Sequence, residues 1–176
     1  MRISIFCFCF CLCLCLWPCS FFVTLAHGAA PLQKENYLFE KNGYMVFRID
    51  LRTADLKLYW QRSDKTPYET LVQLRQDLEA QGKKFLMATN SGIYDKLNRP
   101  LGLHVERGIR LRPVNRSRAP NGNFSMVPNS IFFLTKSGAR VLETREYEGL
   151  KLQTLEATQS GPLLVNHGVF HPLFSK

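Results

Sequence analysis

Beyond residue 19 the sequence has no cysteine, since all six (Cys7, Cys9, Cys11, Cys13, Cys15 and Cys19) crowd into the first 20 residues among Phe and Leu. If that stretch is a leader, the working protein has no thiol chemistry, no thiolate zinc and no disulfide. Other absences narrow the chemistry further. There is no glycine-rich phosphate loop and no G-x-S-x-G nucleophile turn. Internal repeats and low-complexity linkers are missing too, which leaves one ordinary globular domain. Acidic residues are scarce, 14 against 23 Lys and Arg, for a net charge of +9 over 176 residues.

What is present begins with Arg2, an apolar run over 3–17, a second over 21–25, and the small residues Ala26, Gly28, Ala29 and Ala30. A basic start, an apolar middle and a small-residue end predict a signal peptide over 1–28, cleaved after Ala26, Gly28 or Ala30. Pro18 and Ser20 interrupt the run, which argues against a permanent anchor. The expectation is a periplasmic or secreted protein with no stable membrane span after cleavage. The densest basic run, Arg107, Arg110, Arg112, Arg116 and Arg118, reads either as a solvated face or as an anion-binding surface. Aromatics do not interleave with it, and export removes the usual partner, so nucleic acid is not expected.

Apolar-polar alternation over 44–50 and 55–60 predicts a β-hairpin. Thr66-Pro67-Tyr68-Glu69 carries a helix-start pattern, and Gly82 a stop, for a packed helix over 66–82 built on Tyr68, Leu71, Val72 and Leu78. Residues 84–89 read as a short buried strand. Further strands follow over 101–106, 109–111, 131–135 and 140–144, with turns at Arg107-Gly108 and Ser137-Gly138. A last hairpin covers 162–170 around Asn166-His167-Gly168. The fold class expected is α+β: a β-rich single domain over 32–176 with a mixed sheet.

Polar residues interrupt the apolar strands in four places: Thr89 to Asp95, Gly122-Asn123-Phe124, Pro128-Asn129, and Thr158 to Pro162. Asn and Gln offer a donor and an acceptor on one planar amide, which suits sugar hydroxyl and acetamido groups, although strand-end Asn and Gly also simply make turns.

The blocks ATNSGIYD at 88–95, PLGLHVERG at 100–108, GNFSMVPNSIFFL at 122–134 and ATQSGPLLVNHGVFHPLF at 157–174 resemble the phosphodiester glycosidase domain family, in its periplasmic bacterial branch. The resemblance implies an α+β fold with a β-rich core and an exported hydrolase of a sugar-1-phosphodiester, or of a related envelope glycan. It matches Asn90 and Gly92 to the family's Asn-x-Gly block at its cleft, Asn123 and Asn129 to its Gly-Asn-Phe and Pro-Asn positions, and Gln159, Ser160 and Gly161 to its Thr-Gln-Ser-Gly-Pro block. Ser91 and Ser130 are mild departures. Relatives continue past the position of His171-Pro172 with further strands and an arginine suited to phosphate, so the resemblance implies a domain incomplete at its C-terminus, with the 162–170 hairpin short of a strand partner. A truncated chain is then expected to be weakened or inactive.

Asn90, Asp95 and Glu106 are the catalytic candidates, with Glu156 the remaining acidic residue near these blocks. Gly92, His104, Asn123, Asn129, Gln159, Ser160 and Gly161 are the substrate-binding candidates; His104 could donate a proton at neutral pH, and Gly92 would let backbone approach a ligand closely. Asp95 also reads as a turn residue, and His104 and Glu106 as the exposed face of a strand. No metal ligand set stands out. The competing reading is a non-catalytic secreted carbohydrate- or envelope-binding domain.

Overall fold

A computed structural model describes residues 30–117 and 127–171. The leader and Asn123 lie outside the described residues. Among the described residues no helix is long and apolar enough to cross a membrane.

The chain opens with an antiparallel hairpin, β1 (Leu32–Phe39) against β2 (Asn42–Ile49). Its turn is the pair Glu40-Lys41, both at positive φ (47° and 68°), the sign a two-residue turn of type I′ requires. The expected hairpin of 44–50 with 55–60 is therefore corrected: residues 42–49 pair upstream. Residues 55–60 run on outside any named strand.

Helix α1 (Leu71–Ala80) starts four residues later than the sequence pattern suggests. Thr70, not Thr66, is the N-cap, and its hydroxyl accepts from the Gln73 amide at 3.2 Å. The Gln73 side chain reaches back to the Glu69 amide at 3.1 Å, a reciprocal arrangement close to a capping box. Pro67 instead bridges to Gln61 in a tight turn. The predicted stop at Gly82 is observed: Gly82 (φ 71°) donates to Glu79, and Lys83 to Leu78, the paired bonds of a Schellman end. Leu74 and Leu78 form the buried stripe, while Leu71 and Val72 are exposed.

A five-stranded sheet follows, in the order β4 (Ile109–Arg112), β3 (His104–Glu106), β7 (Glu156–Ser160), β5 (Ser130–Thr135), β6 (Gly138–Glu143). Every described pairing is antiparallel, so the fold is a β-rich α+β domain but its sheet is not mixed. Tight connections explain this. Arg107-Gly108 joins β3 to β4 and Lys136-Ser137 joins β5 to β6, and two-residue links of that kind only make antiparallel neighbours. Strand β7, arriving later in the chain, fills the centre between the two hairpins.

Alternation along the strands gives the sheet two different faces. Val105, Ala157, Ile131 and Phe133 point one way and form the apolar core with Leu103 and Leu142. Helix α2 (Thr144–Gly149), which the sequence pattern does not announce, covers that face: Tyr147 meets Phe133 edge-on at 5.0 Å between ring centroids. The opposite face carries His104, Glu106, Glu156 and Thr158 beside Phe132 and Leu134.

Residues 84–89 lie outside any named strand and are at most half-buried, a second correction to the expected elements. The hairpin of β8 (Val165–Asn166) and β9 (Val169–Phe170) forms as expected, with His167-Gly168 at positive φ. It makes a separate two-stranded sheet that leaves Leu164, Val169 and Phe170 exposed.

Candidate active site

The polar face of the sheet is organised by two buried carboxylates. Glu156 accepts from the Leu58 amide at 3.1 Å with one oxygen and from the Arg107 amide at 3.1 Å with the other. Glu106 accepts from the Trp60 amide at 2.6 Å and faces His104 Nε2 at 2.9 Å through the same oxygen. Leu58 and Trp60 are alternate residues, so the two acids hold the 55–60 segment across the sheet by every second amide. This replaces a strand ladder and satisfies amides that would otherwise be buried without partners.

His104 is 4% exposed and Glu106 6% exposed, so the pair is screened from bulk water. In the tautomer with its proton on Nε2, the histidine donates to the Glu106 oxygen and keeps the lone pair of Nδ1. Nδ1 has no hydrogen-bond partner among the described residues. The Trp60 ring stands edge-on to the imidazole at 6.2 Å, and its buried indole Nε1 has no partner among the described residues. A carboxylate-oriented imidazole with one free nitrogen is a competent proton acceptor or donor.

His104 lines a cleft of about 1130 Å³ between this sheet face, the 55–60 segment, α1 and residues 83–94. Asn90 and Gly92 line it as well, with Glu156 and Thr158 on the floor. Asn90 is exposed. Gly92 is where the segment meets the sheet: a Cβ there would collide with the Thr158 hydroxyl and sit 3.2 Å from the Gln159 carbonyl oxygen. The close approach expected of this glycine is real, but its neighbour is strand β7.

Asp95 takes its other expected role, in a turn. Its carboxylate accepts from the Leu97 amide at 2.8 Å, the Arg99 amide at 3.0 Å and the Arg99 guanidinium at 2.7 Å. The Arg99 amide foremost, joined by the Arg99 side chain and the Leu97 amide, holds its pKa below the ordinary value. An acid so stabilised as its anion is poorly suited to donate a proton.

Gln159 and Asn129 are on the wrong face to touch a ligand in the cleft. Gln159, 1% exposed, accepts from the Leu103 amide at 3.0 Å and the Asn115 amide at 2.8 Å, and donates to the Asn115 carbonyl at 2.8 Å. Asn129 Oδ1 accepts from the Thr144 hydroxyl at 2.5 Å and lies 3.4 Å from Gln159 Nε2. Their amides are used up in tying residues 113–117 and the head of α2 to the sheet. Ser160 ends β7, paired with Ser130, and Gly161 follows it; both are half-buried.

The described parts of the four sequence blocks nevertheless converge at one end of the sheet. Gly92 abuts Thr158, Leu101 donates to Ile93 at 2.9 Å, Leu103 to Gln159, and Asn129 touches Gln159. Sequence reasoning overlooked Asn115, Thr144 and Trp60. It named Glu156 without a role, although Glu156 and Thr158 share strand parity. Among the described residues no three His, Asp or Glu side chains group to hold a metal ion.

No family model and no solved structure matches the chain. Over 127 residues it is 32% identical to the uncharacterized protein YigE of Escherichia coli (strain K12), a match that covers 72% of the chain and 49% of YigE. The chain thus spans about half the length of that curated relative.

Proposed function

We propose that this chain is an exported phosphodiester glycosidase-like domain that hydrolyses a sugar-1-phosphodiester in the cleft beside His104. The observation that carries the reading is His104 on the cleft wall, oriented by the buried Glu106, in a cleft that Asn90 also lines. A phosphate ester leaves readily as an anion, so the demand on the protein is to activate water and orient the sugar. His104 Nδ1 takes a proton from the attacking water as its oxygen bonds to the anomeric carbon. The bond from that carbon to the phosphate oxygen breaks, and the phosphate monoester departs with the electron pair. Glu106 stabilises the imidazolium that results, and Asn90 orients the sugar or the water. Asp95 and Gln159 serve the scaffold in this scheme.

The leader-like first 28 residues support export to the periplasm or beyond. The test is release of sugar from a chromogenic sugar-1-phosphodiester by the full chain. Asn90→Ala is expected to slow it roughly a hundredfold, the usual effect of losing one oriented hydrogen bond in a transition state. Binding of sugar phosphates without turnover at any pH would favour a non-catalytic carbohydrate-binding domain instead.

A further inference from the structure

Among the described residues the basic run from Arg107 to Arg116 does not form one patch. Arg107 lies over the Tyr59 ring and 3.6 Å from the Glu106 carboxylate, and Arg116 is ion-paired with Glu148. Arg110 and Arg112 have no carboxylate partner among the described residues. These two differ in direction. The β3–β4 register runs Glu106↔Ile109, Val105↔Arg110 and then, across a bulge, His104↔Arg112. Directly paired residues of an antiparallel ladder share a face, so Arg110 belongs with the core-facing Val105 at the sheet edge, whereas Arg112 belongs with His104. Without the extra residue, Arg112 would repeat the direction of Arg110. Bulges beside active sites commonly re-aim a side chain in this way.

Arg112 is also held in place. It is half-buried, and its Nε donates to the Pro100 carbonyl at 3.1 Å, while Pro100 itself lines the cleft. That bond occupies Nε and leaves both terminal nitrogens of the guanidinium for a ligand. We infer that Arg112 is the phosphate-binding residue at the rim of this cleft, its two Nη groups gripping the phosphoryl oxygens of the ligand whose anomeric carbon faces His104. The planar fork suits two phosphate oxygens at once, which a lysine point charge does not reproduce. The inference rests on the glycosidase-like reading for the sugar half of the ligand, while the anion site stands on the bulge and the Pro100 contact alone.

The experiment is calorimetric titration of the full chain with inorganic phosphate and with glucose 1-phosphate at low salt, on the wild type, Arg112→Gln, Arg112→Lys and Arg110→Gln. Arg112→Gln keeps a donor for Pro100 and removes the charge. It should bind both probes at least tenfold more weakly with an unchanged melting temperature, Arg112→Lys should fall between, and Arg110→Gln should match the wild type. Wild-type affinity in Arg112→Gln, or no phosphate binding by the wild-type chain, overturns the inference. Arg112-dependent phosphate binding without hydrolysis of any sugar phosphodiester would uphold the anion site and remove the glycosidase reading. Hydrolysis that proceeds equally in Arg112→Gln would do the reverse.

Discussion

Gly92 and Thr158 are packed so closely that residue 92 has no room for a side chain: a methyl there would overlap the Thr158 hydroxyl and stand 3.2 Å from the Gln159 carbonyl oxygen. This contact fastens the cleft-lining segment to the central strand. Gly92→Ala should destabilise the domain by about 1–3 kcal/mol, the usual cost of overpacking. Thr158→Ala in the same chain should return part of the loss. Denaturant midpoints of the two single variants and the double variant check this, and simple additivity would show that the two residues are not coupled.

Gln159 is expected to matter for folding. Gln159→Leu would orphan the amides of Leu103 and Asn115 and the Asn115 carbonyl, three groups bonded to one side chain. A buried group left without its partner costs about 1–3 kcal/mol, so a loss of several kcal/mol is expected. Chemical denaturation measures it, and a variant as stable as the wild type would show that water replaces the amide.

For Asp95 the account predicts a pH signature without a catalytic one. Its folded pKa lies below the ordinary value of 3.8, so its contribution to stability is complete above that pH and is lost as pH falls through the lower folded value. Asp95→Asn should therefore melt below the wild type at neutral pH, the gap should close under acid conditions, and turnover should be unchanged. Melting curves at pH 7 and below pH 3, with one rate measurement, decide it.

How much of this was legible in the sequence depends on whether a signal was local. The turns at Arg107-Gly108 and His167-Gly168 and the stop at Gly82 were readable because positive φ is written in one or two residues. The helix start was misread because Thr66-Pro67 and Thr70 both carry capping chemistry, and only the Pro67–Gln61 bridge decides between them. The pairing of β2 with β1 was missed because it turns on Glu40-Lys41, two residues with little preference for positive φ. In the site, parity along one strand places Glu156 with Thr158 and His104 with Glu106. That Gln159 and Asn129 face away from them follows only from the register of β7 between β3 and β5, which is a tertiary fact.

The two buried glutamates should separate by function. Glu156 holds only backbone amides, whereas Glu106 also orients His104. Glu156→Gln should lower stability by about 1–3 kcal/mol and leave the rate per folded molecule near the wild type. Glu106→Gln should cut the rate at least tenfold and move the pH profile, because the imidazolium loses its counter-charge. Equal kinetic losses in both would mean that Glu106 acts through the scaffold alone.

The most direct test of the account is where the substrate bond breaks. Hydrolysis of a sugar-1-phosphodiester by the full chain in ¹⁸O-labelled water, followed by phosphorus NMR and mass analysis of the sugar, reports it. The account predicts label at the anomeric hydroxyl, none in the phosphate, and loss of turnover in His104→Gln. Label in the phosphate, or turnover that survives in His104→Gln, would contradict it.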